Sequence, residues 1–270
     1  MQQTLNTMDV HLIRLLNQYA GLNPALDHLI YTLSDSGLLK GGLFMAFLWW
    51  HWFRRDDATE TRRGQIIIAL TATAMAVIVS RVLQVELPFR DRPMHNAALH
   101  FMLPDGVGSG MLDGWSSFPS DHAVLFSGLA VAVWIQSWRG GLLCAIWALV
   151  AVCLPRVYLG YHYPTDIAAG LILGTGIVVA AHLLVSPDRL TAPLLRWEHM
   201  HPTSFYCLAF LASFELAVMF RDIRQLAADG VHLAGATAPA ATLATEGSLP
   251  FRSNATHAVS SSIAAPPKTE

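Results

Sequence analysis

Charge is what this sequence has least of. Asp, Glu, Lys and Arg supply 13% of its 270 residues against 53% apolar ones. The mean hydropathy is +0.42, far from an ordinary soluble domain, in which about a quarter of positions are charged. An excess of either sign is missing too. The formal net charge is −2 and the pI about 6.6, which excludes the basic face that nucleic-acid binding needs. Cysteine is scarce: Cys144, Cys153 and Cys207 lie inside apolar runs with no metal-ligand spacing and read as small buried hydrophobes. The first thirty residues lack an uninterrupted apolar core, because Asp9, His11, Arg14 and Asp27 break it. A cleaved leader is therefore not expected, and the mature chain should keep its N-terminus. No internal repeat is visible.

Long apolar runs are present. A span of the hydrocarbon core needs about 20 mostly apolar residues, and six stretches approach that: 38–53, 64–83, 122–138, 141–159, 167–185 and 204–220. The last is short and carries Glu215. The expected fold is all-α, a polytopic transmembrane helix bundle of about six spans. Residues 1–35 form an amphipathic N-terminal segment, in which Leu12, Leu15, Leu16 and Tyr19, then Leu26, Leu29 and Ile30, recur at helical spacing. Such helices suit the membrane surface or the side of the bundle. Residues 36–225 form the membrane-embedded domain. Residues 226–270, rich in Ala, Ser, Thr, Gly and Pro, read as a disordered tail.

Orientation follows from arginine, which collects in cytoplasmic loops. Arg54, Arg55, Arg62 and Arg63 lie between the first two stretches, and Arg139, Arg189 and Arg196 fall on the same side. Arg221 and Arg224, after the sixth stretch, fall on the other side if that stretch crosses. Residues 88–121 and 156–166 then share the side opposite the first arginine loop.

Those two loops hold the chemistry. One carries Arg90, Arg92, Pro93 and then Phe118-Pro119-Ser120-Asp121-His122; the other carries Arg156 and Gly160-Tyr161-His162-Tyr163-Pro164-Thr165-Asp166. Ionisable groups at the ends of spans are costly and tend to be functional. Ser120 reads as a helix N-cap whose helix aims unpaired N–H groups outward, as an anion site requires. Pro164 marks the first turn of another helix. Phosphoryl transfer without a metal needs a nucleophile, an orienting partner, a proton donor and positive charge on the equatorial oxygens. His162, with Asp166 four residues on, suits the first two roles, and His122 the third. Taken singly, Arg92 or Arg156 could be a snorkelling anchor and Asp166 a helix cap. Their joint occurrence on one side favours a phosphate site. No Asp, Glu, His or Cys set beyond these has metal-ligand spacing, so neither metal nor cofactor is expected.

These motifs resemble the type 2 phosphatidic acid phosphatase superfamily, over roughly residues 38–185. Arg92-Pro93 matches the end of its first motif, Pro119-Ser120-Asp121-His122 its second, and Arg156, His162 and Asp166 its third. The resemblance implies His162 as nucleophile, Asp166 as its orienting partner and His122 as general acid. It implies that Arg92, Arg156, Ser120 and the Asp121 backbone N–H hold the phosphate. The chain departs from the pattern at Val85, where the family has Lys, at Pro155, where it has Ser, and at Asp121, where it has Gly. Arg90, or secondarily Arg81, could restore the charge missing at Val85. The run from Phe118 to Ala123, with Asn23-Pro24-Ala25-Leu26-Asp27, resembles bacterial undecaprenyl-diphosphate phosphatases.

The implied activity is therefore an integral membrane phosphatase acting on a lipid-linked phosphate or diphosphate, undecaprenyl diphosphate first, with phosphatidate or phosphatidylglycerol phosphate as alternatives. The implied setting is a bacterial inner membrane with the site on the periplasmic or extracellular face. A vanadium haloperoxidase would share the pocket but not the apolar runs. A transporter or inactive lipid-phosphate-binding protein remains the reading from another class.

Overall fold

The computed structural model describes residues 6–219. The expected tail lies outside them. All regular elements among the described residues are helical: α1 (Thr7–Asn17), α2 (Pro24–Asp35), α3 (Leu43–Phe53), α4 (Thr59–Glu86), α5 (Asp121–Gln136), α6 (Trp138–Trp147), α7 (Leu154–Tyr158), α8 (Pro164–Leu184), α9 (Pro187–Leu190), α10 (Ala192–Met200) and α11 (Pro202–Ala217). Helix α3 is entered through a π turn, Leu38–Gly42, and α6 runs into α7 through another, Ala148–Cys153.

Each expected apolar stretch contains a helix, but the helices differ in reach. Thr59–Glu86, Trp138–Tyr158 and Pro164–Leu184 are long and apolar enough to cross a membrane. Helix α5, at 16 residues, is shorter though apolar. Helix α11 also has 16 residues, about 24 Å at 1.5 Å per residue, short of the roughly 30 Å hydrocarbon core. Three helices rather than six thus meet the length on their own.

Helix α5 is the axis of the bundle. Val124, Leu125, Phe126, Leu129 and Val133 are all fully buried, because α4, α6 and α8 pack around it. Helix α8 approaches closely because it presents Gly170 and Gly174 to α5: a Cβ on Gly174 would overlap the Val124 carbonyl oxygen, and one on Gly170 would press on that of Ser120. Small residues four apart let membrane helices touch backbone to backbone. Here they bring the first turn of α8 against the first turn of α5.

The N-terminal helices start where the sequence provides caps. Asn6 accepts from the Met8 N–H at 3.0 Å, and Asn23 from those of Ala25 and Leu26. Both helices dock on the bundle through buried carboxylates, Asp9 and Asp27, while Leu12, Leu15, Leu26 and Leu29 stay exposed. Asp27 accepts from the Gly21 and Asp105 N–H groups, each at 2.9 Å, and from the Tyr158 hydroxyl. Of the cysteines, Cys144 and Cys153 are buried as expected, but Cys207 is on the exposed face of α11.

The two ends of α4 have different characters. At its start Arg63 donates to both oxygens of Glu198, at 3.0 and 2.8 Å, and lies over the Trp52 ring. Near its end stand Arg81 and Gln84, about 27 Å further along the helix.

Candidate active site

At the Arg81 end the first turns of α5 and α8 abut, and the Ser120 N–H donates to the Asp166 carbonyl at 3.2 Å. Ser120 is fully buried and caps α5 by accepting from the Ala123 N–H. Asp121 opens that helix, so its own N–H has no acceptor within it.

His162 sits between α7 and α8. The chain turns back after α7 at Gly160, whose φ of +73° is one that L side chains rarely adopt. The Tyr161 and His162 N–H groups then both reach the Arg156 carbonyl, at 2.9 and 3.2 Å. The His162 ring is 2% exposed. Its Nδ1–H donates to the Ser117 carbonyl at 2.8 Å, which leaves Nε2 as the unprotonated nitrogen, accepting from Arg92 Nη1 at 3.5 Å. The expected orienting contact is looser: Asp166 Oδ2 is 3.8 Å from Nδ1. Asp166 instead caps its helix, accepting from the Tyr163 N–H at 2.8 Å, and pairs through Oδ1 with Arg90. A helix start needs such an acceptor, and that need competes with the histidine for the same oxygen.

Three arginines have distinct surroundings. Arg92 is buried and donates to the carbonyls of Trp115, Tyr161 and Ser116. Arg156 is buried as well; its Nη2 donates to the Ser34 carbonyl at 3.1 Å and meets His122 Nε2 at 2.6 Å. A guanidinium only donates, so His122 Nε2 accepts and its proton is on Nδ1, which faces Asp121 Oδ1 at 3.0 Å. The expected general acid is thus held in a neutral tautomer. Arg90, expected on the phosphate, is committed elsewhere: it pairs with Asp166 and with Asp9, the latter at 2.9 Å, and lies 4.1 Å from the Tyr163 ring centroid. Asp9 also accepts from the Thr165 N–H and hydroxyl, so α1 braces the first turn of α8.

Electrostatics follow from burial. Burial lowers the Arg92 pKa to about 10, with Arg156 and Arg81 adding to the effect and Asp121 and Asp166 opposing it; the group remains a cation at neutral pH. His162 is shifted below the usual 6.5, first by burial and then by Arg92, against the pull of Asp166. Neutral imidazole with one free nitrogen is the nucleophilic form. Among the described residues no three His, Cys, Asp or Glu side chains group as metal ligands.

A cavity of about 150 Å3 bounded by Tyr31, Ser34, Asp35, Met111, Leu112 and Tyr161 reaches Arg156. The larger cavity, about 470 Å3, lies among apolar residues of α3, α4, α10 and α11 and shares no residue with the site. Sequence reasoning missed Asp9 and the Ser117 carbonyl. A lone Asp on a surface-type helix gives no signal of burial, and a backbone acceptor gives none at all.

Residues 65–189 match the PAP2 superfamily, a segment that contains Arg81, Arg92, Ser120, His122, Arg156, His162 and Asp166. The chain is 28% identical over 186 residues to the bacitracin transport permease protein BcrC of Bacillus licheniformis, spanning 67% of this chain and 77% of that one. To the undecaprenyl-diphosphatase BcrC of Bacillus subtilis it is 21% identical over 166 residues, 62% and 78% of the two chains. To the decaprenylphosphoryl-5-phosphoribose phosphatase of Mycobacterium tuberculosis it is 31% identical over 125 residues, 44% and 61% of the two chains. No solved structure matches.

Proposed function

Residues 65–189 make this chain a member of the PAP2 superfamily, and from that premise we propose that it is an integral membrane phosphatase hydrolysing a polyprenyl diphosphate through a phosphohistidine at His162. The observation that carries the reading is the unprotonated Nε2 of a buried His162, in a long 3.5 Å contact with Arg92, with its tautomer fixed by the Ser117 carbonyl.

In the first step the Nε2 lone pair attacks the terminal phosphorus. The bond from that phosphorus to the bridging oxygen breaks, and its electron pair leaves with the lipid monophosphate. Arg92, Arg156 and the N–H groups at the start of α5 neutralise the equatorial oxygens. In the second step water attacks the phosphohistidine, returning Nε2 and releasing inorganic phosphate. His122 suits the second step: once Arg156 turns to phosphate, its Nε2 lone pair can take the proton from water.

The same tautomer favours a diphosphate. A leaving phosphate, whose second pKa is about 6, departs without a proton, whereas the alkoxide of a phosphatidate needs an acid that His122 in this form does not supply. Relatives named for undecaprenyl diphosphate and for decaprenylphosphoryl-5-phosphoribose agree on a polyprenyl carrier. We place the site on the periplasmic face of a bacterial inner membrane, because the arginine-rich loops lie at the other end of α4. The relative named as a permease keeps transport as the second reading.

The test is phosphate release by the detergent-purified chain and its His162→Ala variant, from undecaprenyl diphosphate, phosphatidate and phosphatidylglycerol phosphate. His162-dependent release, fastest from the first lipid, is expected. Release fastest from a glycerolipid would overturn the substrate, and release independent of His162 the mechanism.

A further inference from the structure

We propose that Arg81 selects diphosphate over monophosphate substrates by binding the phosphate that stays with the lipid; this rests on the phosphatase reading above. Arg81 pairs with Asp121 Oδ2, donates to Gln84 Oε1 at 3.1 Å and lies 5.5 Å from the Trp115 ring centroid. Its side chain is 31% exposed, whereas Arg92 and Arg156 are buried. Arg90 is less exposed and is held between two carboxylates. Arg81 is thus the guanidinium at the rim of the site.

The rim adjoins the bilayer-facing side of α4. Ile78, Val82 and Val85 on that helix, and Phe89 beyond it, are exposed apolar residues around Arg81. A lipid whose terminal phosphate reaches Arg92 and Arg156 has its tail along such a stripe, so the joint between tail and head group passes Arg81. In a phosphate monoester that joint is an uncharged ester oxygen. In a diphosphate it is a second anionic phosphate, which a guanidinium binds through charge-assisted hydrogen bonds. Val85 is 80% exposed and offers no charge. Arg81, one helical turn earlier, offers one. Asp121 holds Arg81 in place and exchanges it for the substrate, keeping its own contact to His122.

The probes are inorganic phosphate and methylenediphosphonate, used as competitive inhibitors of phosphate release from farnesyl diphosphate by the full chain. Arg81→Gln is expected to weaken inhibition by methylenediphosphonate roughly tenfold to a hundredfold, the worth of a charge-assisted hydrogen bond, and to leave inhibition by phosphate within about twofold. Arg81→Lys, which keeps the charge, should recover most of the loss. Equal weakening of both inhibitors, or of neither, would overturn the assignment while leaving the phosphatase reading intact. Absence of His162-dependent release in the wild type would overturn both.

Discussion

His162 and Ser117 are joined by a 2.8 Å hydrogen bond from the ring Nδ1–H to the backbone carbonyl, while the Asp166 carboxylate stands 3.8 Å from the same nitrogen. The tautomer that exposes Nε2 is therefore held by a main-chain group. Asp166 contributes a nearby negative charge, a cap for α8 and an anchor for Arg90.

This division of labour sets the expected effect of Asp166→Asn. The amide can still accept from the Tyr163 N–H, and Ser117 still orients the ring. A loss in kcat of about tenfold to a hundredfold is expected, the size of removing an outer-shell partner. A larger loss, close to that of His162→Ala, would show that the carboxylate closes onto the ring during turnover. Steady-state phosphate release by the two variants decides it.

The pH profile gives an independent reading. Burial and Arg92 hold the His162 pKa below 6.5 and Asp166 partly offsets them. The acid limb of kcat/KM should therefore lie below pH 6.5, since activity is lost only as His162 takes up a proton. Removing the offsetting charge in Asp166→Asn lowers the pKa further and should move that limb to still lower pH. The substrate's own ionisation near 6 is common to both enzymes, so the difference between their profiles isolates the histidine. A limb that moves upward, or does not move, would contradict the assignment of His162 as the free base.

What the sequence discloses depends on whether a residue's role is local. Ser120 as a cap, Pro164 at a helix start and the closeness of His162 to Arg156 could be read from spacing, because helix starts and short loops are written in neighbouring residues, whereas Arg92, 70 residues from His162, was implied by the family resemblance alone. Arg90 could not. Its partners Asp9 and Asp166 lie 81 and 76 residues away, and only the docking of α1 shows that it is paired with both. The length of the spans was legible only in part: composition marks apolar stretches and already shows the last as short, whereas it does not show the π turn before α3.

In the proposed arrangement guanidinium groups neutralise the phosphate, which leads to an expectation about metals. Phosphate release should be unchanged by EDTA and inhibited by vanadate, which takes up the trigonal-bipyramidal geometry of phosphorus in transfer. Loss of activity in EDTA with recovery on adding magnesium would mean that Arg92 and Arg156 are not the main electrophiles. Bromide oxidation by the vanadate-loaded chain with peroxide would favour the haloperoxidase reading instead.

Asp9 provides the sharpest distinction between a brace and a ligand. Its carboxylate is fully buried and pairs with Arg90, which is itself about a fifth exposed. Removing one partner of a buried pair costs about 3–5 kcal/mol, and the exposure of Arg90 places Asp9→Ala near 3. Arg90→Ala should cost more, because it leaves both Asp9 and Asp166 without their cation. If Arg90 is a brace, the double variant is less destabilised than the sum of the singles, and each single variant loses thermal stability in detergent with little change in KM. If Arg90 binds phosphate, in place of the charge missing at Val85, Arg90→Ala raises KM at unchanged stability and does not couple to Asp9. Thermal unfolding and KM measured on the same three variants separate the two, and the geometry of Asp9, Arg90 and Asp166 favours the first.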